Sequence, residues 1–306
     1  MKPKVIIITG PTASGKTSLS IELAKKINGE IICADSMQVY RKMNIGTAKP
    51  TLEEMEGIKH YMLDVVDPDE EFNVVKYKQL AEKCIEEIFK KGKVPILVGG
   101  TGLYVESLIK NIKFSESNID NEYREKLTKL ANENGNDYIY NMLKEIDPIS
   151  CQRIHLNDTK RIIRALEVYE QTGKTITQHN EESLQELKYQ YILFGIDMDR
   201  EILYDRINKR VDIMLEVGLI EEVKDIYNSY KCFPTAMQGL GYKEVVQYLE
   251  NDISYEEMIE KLKMETRRYA KRQLTWFRRY KDMIWLNREK LNINEMLDII
   301  INEYNK

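Results

Sequence analysis

Over the first hundred positions, short runs of β-branched and aliphatic residues alternate with longer stretches whose apolar residues recur every three or four. Residues 5–9, VIIIT, form a continuous apolar run ended by Gly10-Pro11, the pattern of a strand buried on both faces. Leu19, Leu23, Ala24 and Ile27 then fall at helical spacing, and Asn28-Gly29 supplies a stop. Residues 30–34 repeat the strand pattern. Asn73 is placed to cap a helix carrying Val74, Tyr77, Leu80, Ala81, Cys84, Ile85 and Ile88 on one face and ending near Gly92. Residues 94–98, VPILV, make a further strand, with Pro95 near its start, where a missing N–H is tolerated. Strands alternating with helices predict an α/β fold with a parallel sheet of the doubly wound kind.

From about residue 111 to 187 the strand signal disappears. That segment holds amphipathic helical stretches, a break at Asp147-Pro148 and a turn at Thr172-Gly173-Lys174. It is expected to be an all-helical insertion, residues 113–187, in a core domain made of residues 1–112 and 188–306. Residues 191–196, YILFGI, return the chain to the sheet. The remainder reads as mainly helical: residues 200–217 before Gly218, then a helix opened by the capping box Ser254-x-x-Glu257. Residues 283–286, MIWL, form a last short strand.

Composition narrows this only a little. At 306 residues, 42% hydrophobic and 31% charged, the chain can bury a substantial core and is too apolar to be disordered. Its net charge of −4 carries no bulk signature of nucleic-acid binding. Cys33, Cys84, Cys151 and Cys232 lie far apart with no C-x-x-C pair, as expected for reduced thiols of a cytoplasmic protein. His60, His155 and His179 are too scattered for a metal cluster, and His60 reads as structural. The N-terminus reads as a first strand rather than a secretory signal, and no run approaches membrane-spanning length.

Chemistry enters at Gly10-Pro11-Thr12-Ala13-Ser14-Gly15-Lys16-Thr17, which satisfies the P-loop pattern G-x-x-x-x-G-K-[ST] between a strand and a helix. Backbone N–H groups of such a loop surround a diphosphate, the lysine neutralises it, and the Thr17 hydroxyl is suited to Mg²⁺. The motif implies a phosphate ligand without saying that it is a nucleotide. Asp35 and Ser36 end the next strand at the edge where open parallel sheets hold ligands. The carboxylate there suits a metal or a general base, and equally a turn or helix cap. Thr101, in Gly99-Gly100-Thr101-Gly102, would emerge on the same rim, unless the glycines are only a turn. Arg206 and Arg210 share one helix face and could clamp a diphosphate, or be solvated beside Glu201 and Asp205.

Charge concentrates late in the chain. Residues 261–281 hold Lys261, Lys263, Arg267, Arg268, Lys271, Arg272, Arg278, Arg279 and Lys281, with Glu265 and, among them, Gln273, Trp276 and Phe277. Positive charge with interleaved aromatics suits a nucleic-acid backbone and an unstacked base, and a solvated basic helix is the alternative. Arg153, Arg161 and Arg164 of the insertion could form an opposing wall.

Together the segments GPTASGKT, ADSMQVYRKMNIGTAKP, VGGTGLY, NDTKRIIRALEV and KRQLTWFR, in order over nearly the whole chain, resemble the tRNA dimethylallyltransferases, or tRNA isopentenyltransferases. Tyr61 stands where many members have a second histidine, and no C-terminal zinc finger follows, so the resemblance is to bacterial-type members. It implies a P-loop NTPase-like sheet flanked by helices. The diphosphate would belong to dimethylallyl diphosphate, with Mg²⁺ as cofactor. The acceptor would be N6 of the adenosine 3′-adjacent to the anticodon, in a tRNA anticodon stem-loop bound by a monomer and flipped from its stack.

Within that resemblance Asp35 is the expected base, and Lys16, Arg210 and Arg206 are the expected partners of the departing diphosphate. Thr101 is expected to orient the base or the reacting oxygens, and Ser36, Met37 and Gln38 to contact the flipped adenine and its neighbours. Arg124, Lys160, Arg161, Arg164, Gln238, Gly241, Tyr242, Lys243, Lys271, Arg272, Gln273, Trp276 and Arg278 fall in segments matching the family's tRNA contacts. Three other readings stay open on the motifs alone: an isopentenyltransferase of free adenine nucleotides, a P-loop small-molecule kinase, and an RNA-binding regulator.

Overall fold

The computed structural model describes residues 2–114, 120–182 and 186–306, in two compact units: Met1–Ile109 with Lys188–Lys306, and Lys110–Leu187. The larger unit opens with β1 (Lys4–Thr9), α1 (Lys16–Ile27), β2 (Gly29–Cys33), β3 (His60–Tyr61), α2 (Val74–Lys90), β4 (Val94–Gly99) and α3 (Gly102–Ile109). The smaller holds α4 (Asn121–Asn134), α5 (Asn136–Ile146), α6 (Pro148–Cys151), α7 (Thr159–Thr172) and α8 (Ile176–Glu182). The chain then completes the larger unit with β5 (Gln190–Asp197), α9 (Arg200–Glu216), α10 (Leu219–Ser229), α11 (Tyr242–Leu249), α12 (Tyr255–Phe277), β6 (Ile284–Asn287) and α13 (Ile293–Asn305).

Six parallel strands run in the order β3-β2-β4-β1-β5-β6. Along β1, Val5 and Ile7 enter the core on one face, beneath α2 and α3, while Ile6 and Ile8 face α1 and α13 on the other. That two-sided burial is why the run lacks polar alternation. Pro95 lies opposite Glu30 of β2, one residue before the β4–β1 ladder begins at Ile96 opposite Ile6. The two-residue β3 escapes a periodicity reading through its length; it pairs with Ile31 and Ile32 of β2. Residues 219–305 contain four α-helices, where the sequence resolved one in detail.

Register decides where the chemistry stands. Thr9 lies opposite Gly99 and Gly195, and Cys33 opposite Val98. The segments after β1, β2 and β4 therefore leave the sheet side by side at its C-terminal edge.

The helical unit packs Leu127, Ile139, Leu143, Ile162, Ile163 and Leu166 together. Asp120, Asp147 and Asp158 cap α4, α6 and α7, and Gly173 (φ 66°) ends α7. No helix among the described residues is long and apolar enough to cross a membrane. All four cysteines are free.

Candidate active site

Gly15 (φ 91°) turns the loop after β1 into α1, whose first turn has neither an acidic residue nor a side-chain cap. Its leading N–H groups are left for an anion. Lys16 Nζ bends back over the loop, donating to the carbonyls of Gly10 (3.0 Å) and Pro11 (2.7 Å). Burial, then the nearby Arg210, lower its pKa from 10.5 to about 8. From α9, Arg206 Nε donates to the Ala13 carbonyl (2.8 Å) and Arg210 Nη1 to Thr12 Oγ1 (3.3 Å). The two arginines thus lean on the loop rather than on Glu201 or Asp205. Burial, then Arg206, lower the Arg210 pKa. Thr17 is exposed. These residues line a cavity of about 450 Å³ that also takes in Asp35, Gln38, His60, Tyr269 and Gln273.

On the neighbouring strand end, Asp35 Oδ1 accepts the N–H groups of Met37 (2.8 Å) and Gln38 (3.3 Å), so the turn role expected of an Asp at this place is present. Its other oxygen has no hydrogen bond among the described residues. Thr101 Oγ1 accepts the Ser36 N–H (3.0 Å), and Thr101 N–H donates to the Ala34 carbonyl (3.1 Å), joining the two rim segments. A second cavity, about 320 Å³, shares Thr12, Asp35, Arg210 and Tyr269 with the first and continues along Ser36, Met37, Gln238, Gly239, Lys243 and Arg272. Asp35 therefore stands in the wall of both. Tyr269, which the sequence did not single out, also lines both; burial, then the Asp35 carboxylate, raise its pKa, with Thr101 and Gln273 hydrogen bonds easing the shift.

The turn after β4 explains its own glycines. A side-chain carbon at Gly100 would meet Gln273 Nε2 at 2.0 Å, and one at Gly102 would meet Trp276 Cδ1 at 2.3 Å. Helix α12 closes over the turn at backbone distance. His60 Nδ1–H donates to the Ile58 carbonyl (2.9 Å), and burial lowers its pKa. That agrees with a structural histidine.

A P-loop, a carboxylate at the end of the next strand and two cavities meeting at it define the candidate site. The family described as IPP transferase covers residues 38–280. The chain belongs to the IPP transferase family. It is 56% identical to the tRNA dimethylallyltransferase of Acetivibrio thermocellus over 96% of this chain and 94% of that one. Among solved structures it resembles the tRNA delta(2)-isopentenylpyrophosphate transferase of Staphylococcus epidermidis, with TM-score 0.72 and 47% identity over 99% of each chain. It also resembles a eukaryotic dimethylallyltransferase acting on tRNA, with TM-score 0.75 and 35% identity over 93% of this chain and 74% of that one.

Several residues expected at an RNA surface lie elsewhere in this family member. Gln273 is buried, accepting the Thr12 N–H (2.8 Å) and donating to the Gly100 carbonyl (3.0 Å), so its amide bridges the cradle and the Thr101 turn. Trp276 packs against Gly102, with the Arg279 guanidinium 4.0 Å from its ring centre. Tyr242 is fully buried and donates to Glu222 (2.6 Å), while Gly241 (φ 92°) starts α11. Arg124 and Arg164 are held by Glu167, a buried carboxylate in the helical unit. Burial alone would raise Glu167; Arg124, the Asp120 N–H and Arg164 outweigh it and lower its pKa. The Gln38 amide is likewise spent within the fold, donating to the carbonyls of Thr47 (3.0 Å) and Ala48 (3.1 Å) and accepting from Cys33 Sγ (3.1 Å).

Lys160, Arg161, Gln238, Lys271, Arg272 and Arg278 are exposed, and Lys243 is half-buried beside Glu244. Glu222 was not foreseen. It accepts the consecutive N–H groups of Asn44, Ile45 and Gly46, fixing the loop that holds Gln38. No local pattern marks such a residue, because its partners are 176 to 178 positions away.

Proposed function

We propose that this protein transfers the dimethylallyl group of dimethylallyl diphosphate to N6 of the adenosine 3′-adjacent to the anticodon, in tRNAs reading codons that begin with U. The supporting observation is Asp35, in the wall of a cavity lined by P-loop cations and of a second rimmed by Gln238, Lys243 and Arg272. The first cavity suits the diphosphate donor. The second suits an extruded adenosine, whose base must leave its stack to be reached.

In this reading the N6 lone pair attacks the allylic C1. The C1–O bond breaks, its electron pair stays on the diphosphate, and Asp35 takes the N6 proton. A positioned base helps because the exocyclic amine is weakly nucleophilic, its lone pair being delocalised into the ring. Tethering of Oδ1 fixes the carboxylate and leaves the second oxygen for that proton. Lys16, Arg206 and Arg210 balance the charge that grows on the leaving diphosphate. Thr101, through the Ser36 N–H, holds the acceptor-side turn in place.

Mg²⁺ fits the donor set offered here. No group of three or more His, Cys, Asp or Glu residues among the described ones could hold a metal by itself. A hard cation that keeps water and substrate phosphate as ligands asks only one or two oxygens of the protein, and the exposed Thr17 hydroxyl supplies one. When bound, the ion supplies further charge neutralisation of the diphosphate. The enzyme is read as a cytoplasmic monomer.

The deciding experiment incubates the protein with unmodified tRNA, Mg²⁺ and dimethylallyl diphosphate, then measures nucleosides by mass spectrometry. N6-prenyladenosine in tRNA is expected, and its absence would sink the assignment. Label entering AMP instead points to the free-nucleotide enzyme, and phosphate transfer from ATP to a kinase. Asp35→Asn should keep tRNA binding and lower transfer by ~10²-fold or more; near-normal turnover removes Asp35 as the base.

A further inference from the structure

Arg288 follows β6 and has no part in the P-loop pattern. Its N–H donates to the Asp197 carbonyl (3.0 Å), which ties the turn to the end of β5 on the ligand edge of the sheet. The side chain comes to rest on the cradle. A side-chain carbon at Gly15 would lie 3.2 Å from Arg288 Cζ and 3.3 Å from Nε. Gly15 itself lines the donor cavity and opens α1.

The surroundings of this guanidinium are unusual for a half-buried charge. Among the described residues it makes no hydrogen bond and no ion pair. Asp197, whose carbonyl accepts the Arg288 N–H, turns its carboxylate to Arg278 (3.4 Å), and the adjacent Glu289 accepts the Asp199 N–H. Its closest charged influence is another cation. Burial, then Arg206, lower its pKa. A desolvated charge beside a like charge is unfavourable unless an anion compensates it. Arg206, which also forms no ion pair among the described residues, donates only to the Ala13 carbonyl.

We propose that Arg288 is a further anion-binding residue of the donor site, adding positive charge at the Gly15 side of the cradle and strengthening its hold on the diphosphate of both substrate and product. The inference rests on the function proposed above. Arg288 stands one residue behind the cavity wall, so it responds to the total charge of the diphosphate rather than to the breaking bond. Such binding is uniform: it lowers KM and tightens product inhibition while leaving kcat nearly unchanged.

The test compares wild type with Arg288→Gln and Arg288→Lys in steady-state transfer assays at fixed, low ionic strength. The KM for dimethylallyl diphosphate and the inhibition constant of inorganic diphosphate should both rise about tenfold in Arg288→Gln, the worth of one partly screened charge-assisted contact. Both should recover in part in Arg288→Lys, with kcat, the KM for tRNA and the melting temperature close to wild type in each. Unchanged diphosphate constants overturn the proposal. A rise confined to the KM for tRNA also overturns it, since Arg288 would then serve the RNA backbone. Wild type that neither consumes the allylic diphosphate nor is inhibited by inorganic diphosphate would sink the underlying function as well, and shows itself before any variant is made.

Discussion

The cradle and helix α12 are both rich in cations, but they hold them differently. Among the described residues, Lys16, Arg206, Arg210 and Arg288 form no ion pair; the first three rest on carbonyls and a hydroxyl. On α12 and just after it most charges have a partner at hand: Lys263 with Asp212, Arg268 with Glu265, Arg267 with Asn208, Arg278 with Asp197 and Arg279 with Glu106. Charge held without a counterion lowers stability and, in the function proposed above, is kept for the anionic donor. Charge already paired is mostly surface, and worth little to the fold or to a ligand. Lys271 and Arg272 break the rule on α12. Neither is ion-paired among the described residues, and Arg272 lies over the Tyr269 ring (5.8 Å) on the rim of the second cavity.

That contrast can be broken most sharply at Arg210. Arg210→Gln should lower allyl transfer by ~10²-fold, through lost stabilisation of the leaving group, while the melting temperature holds or rises. A clear fall in melting temperature would mean the arginine is structural, and the contrast fails. Next in size is a pH effect. An exposed lysine titrates near 10.5 and Lys16 near 8, so the unliganded fold carries the full burden of its charge below about pH 8 and is relieved as pH rises toward 10.5. Bound diphosphate favours the protonated lysine, so binding takes up a proton above pH 8. Affinity for a non-reactive allylic diphosphate analogue, measured by calorimetry, should be flat below about pH 8 and fall by up to about tenfold per unit above it. Lys16→Arg should abolish the fall, since a guanidinium stays charged. The smallest effects belong to α12. Lys271→Gln and Arg272→Gln should each raise the KM for tRNA about threefold and lower the salt slope by roughly one, while Arg268→Gln changes neither. Equal effects at all three would erase the distinction between paired and free charge.

The same contrast explains what could be read from the chain alone. The cradle is contiguous, so eight adjacent residues between a strand and a helix announce it, and the register of a parallel sheet then brings Asp35 and Thr101 to the same rim. Helix α12 announces only its composition. Which of its residues face inward depends on a docking partner 150 or more positions away: Gln273 and Trp276 turn toward Gly100 and Gly102, and Arg272 does not. Arg124, Arg164 and Tyr242 misled for a related reason, since a carboxylate claims each of them and neither Glu167 nor Glu222 differs from any other glutamate in sequence. Arg288 was silent because a lone arginine after a short strand has no pattern at all.

The closeness of α12 to the glycine turn has a further consequence, one of clearance. At Gly100 and Gly102 the gap between helix and turn is too narrow for a single methyl group. Gln273, which fills that gap, also grips the Thr12 N–H of the cradle, and Tyr269, one turn earlier, roofs both cavities. Widening the joint by an ångström or two would loosen the P-loop and the wall of the second cavity together. The width of this seam is a single mechanical setting shared by both cavities, and neither can be re-spaced without the other.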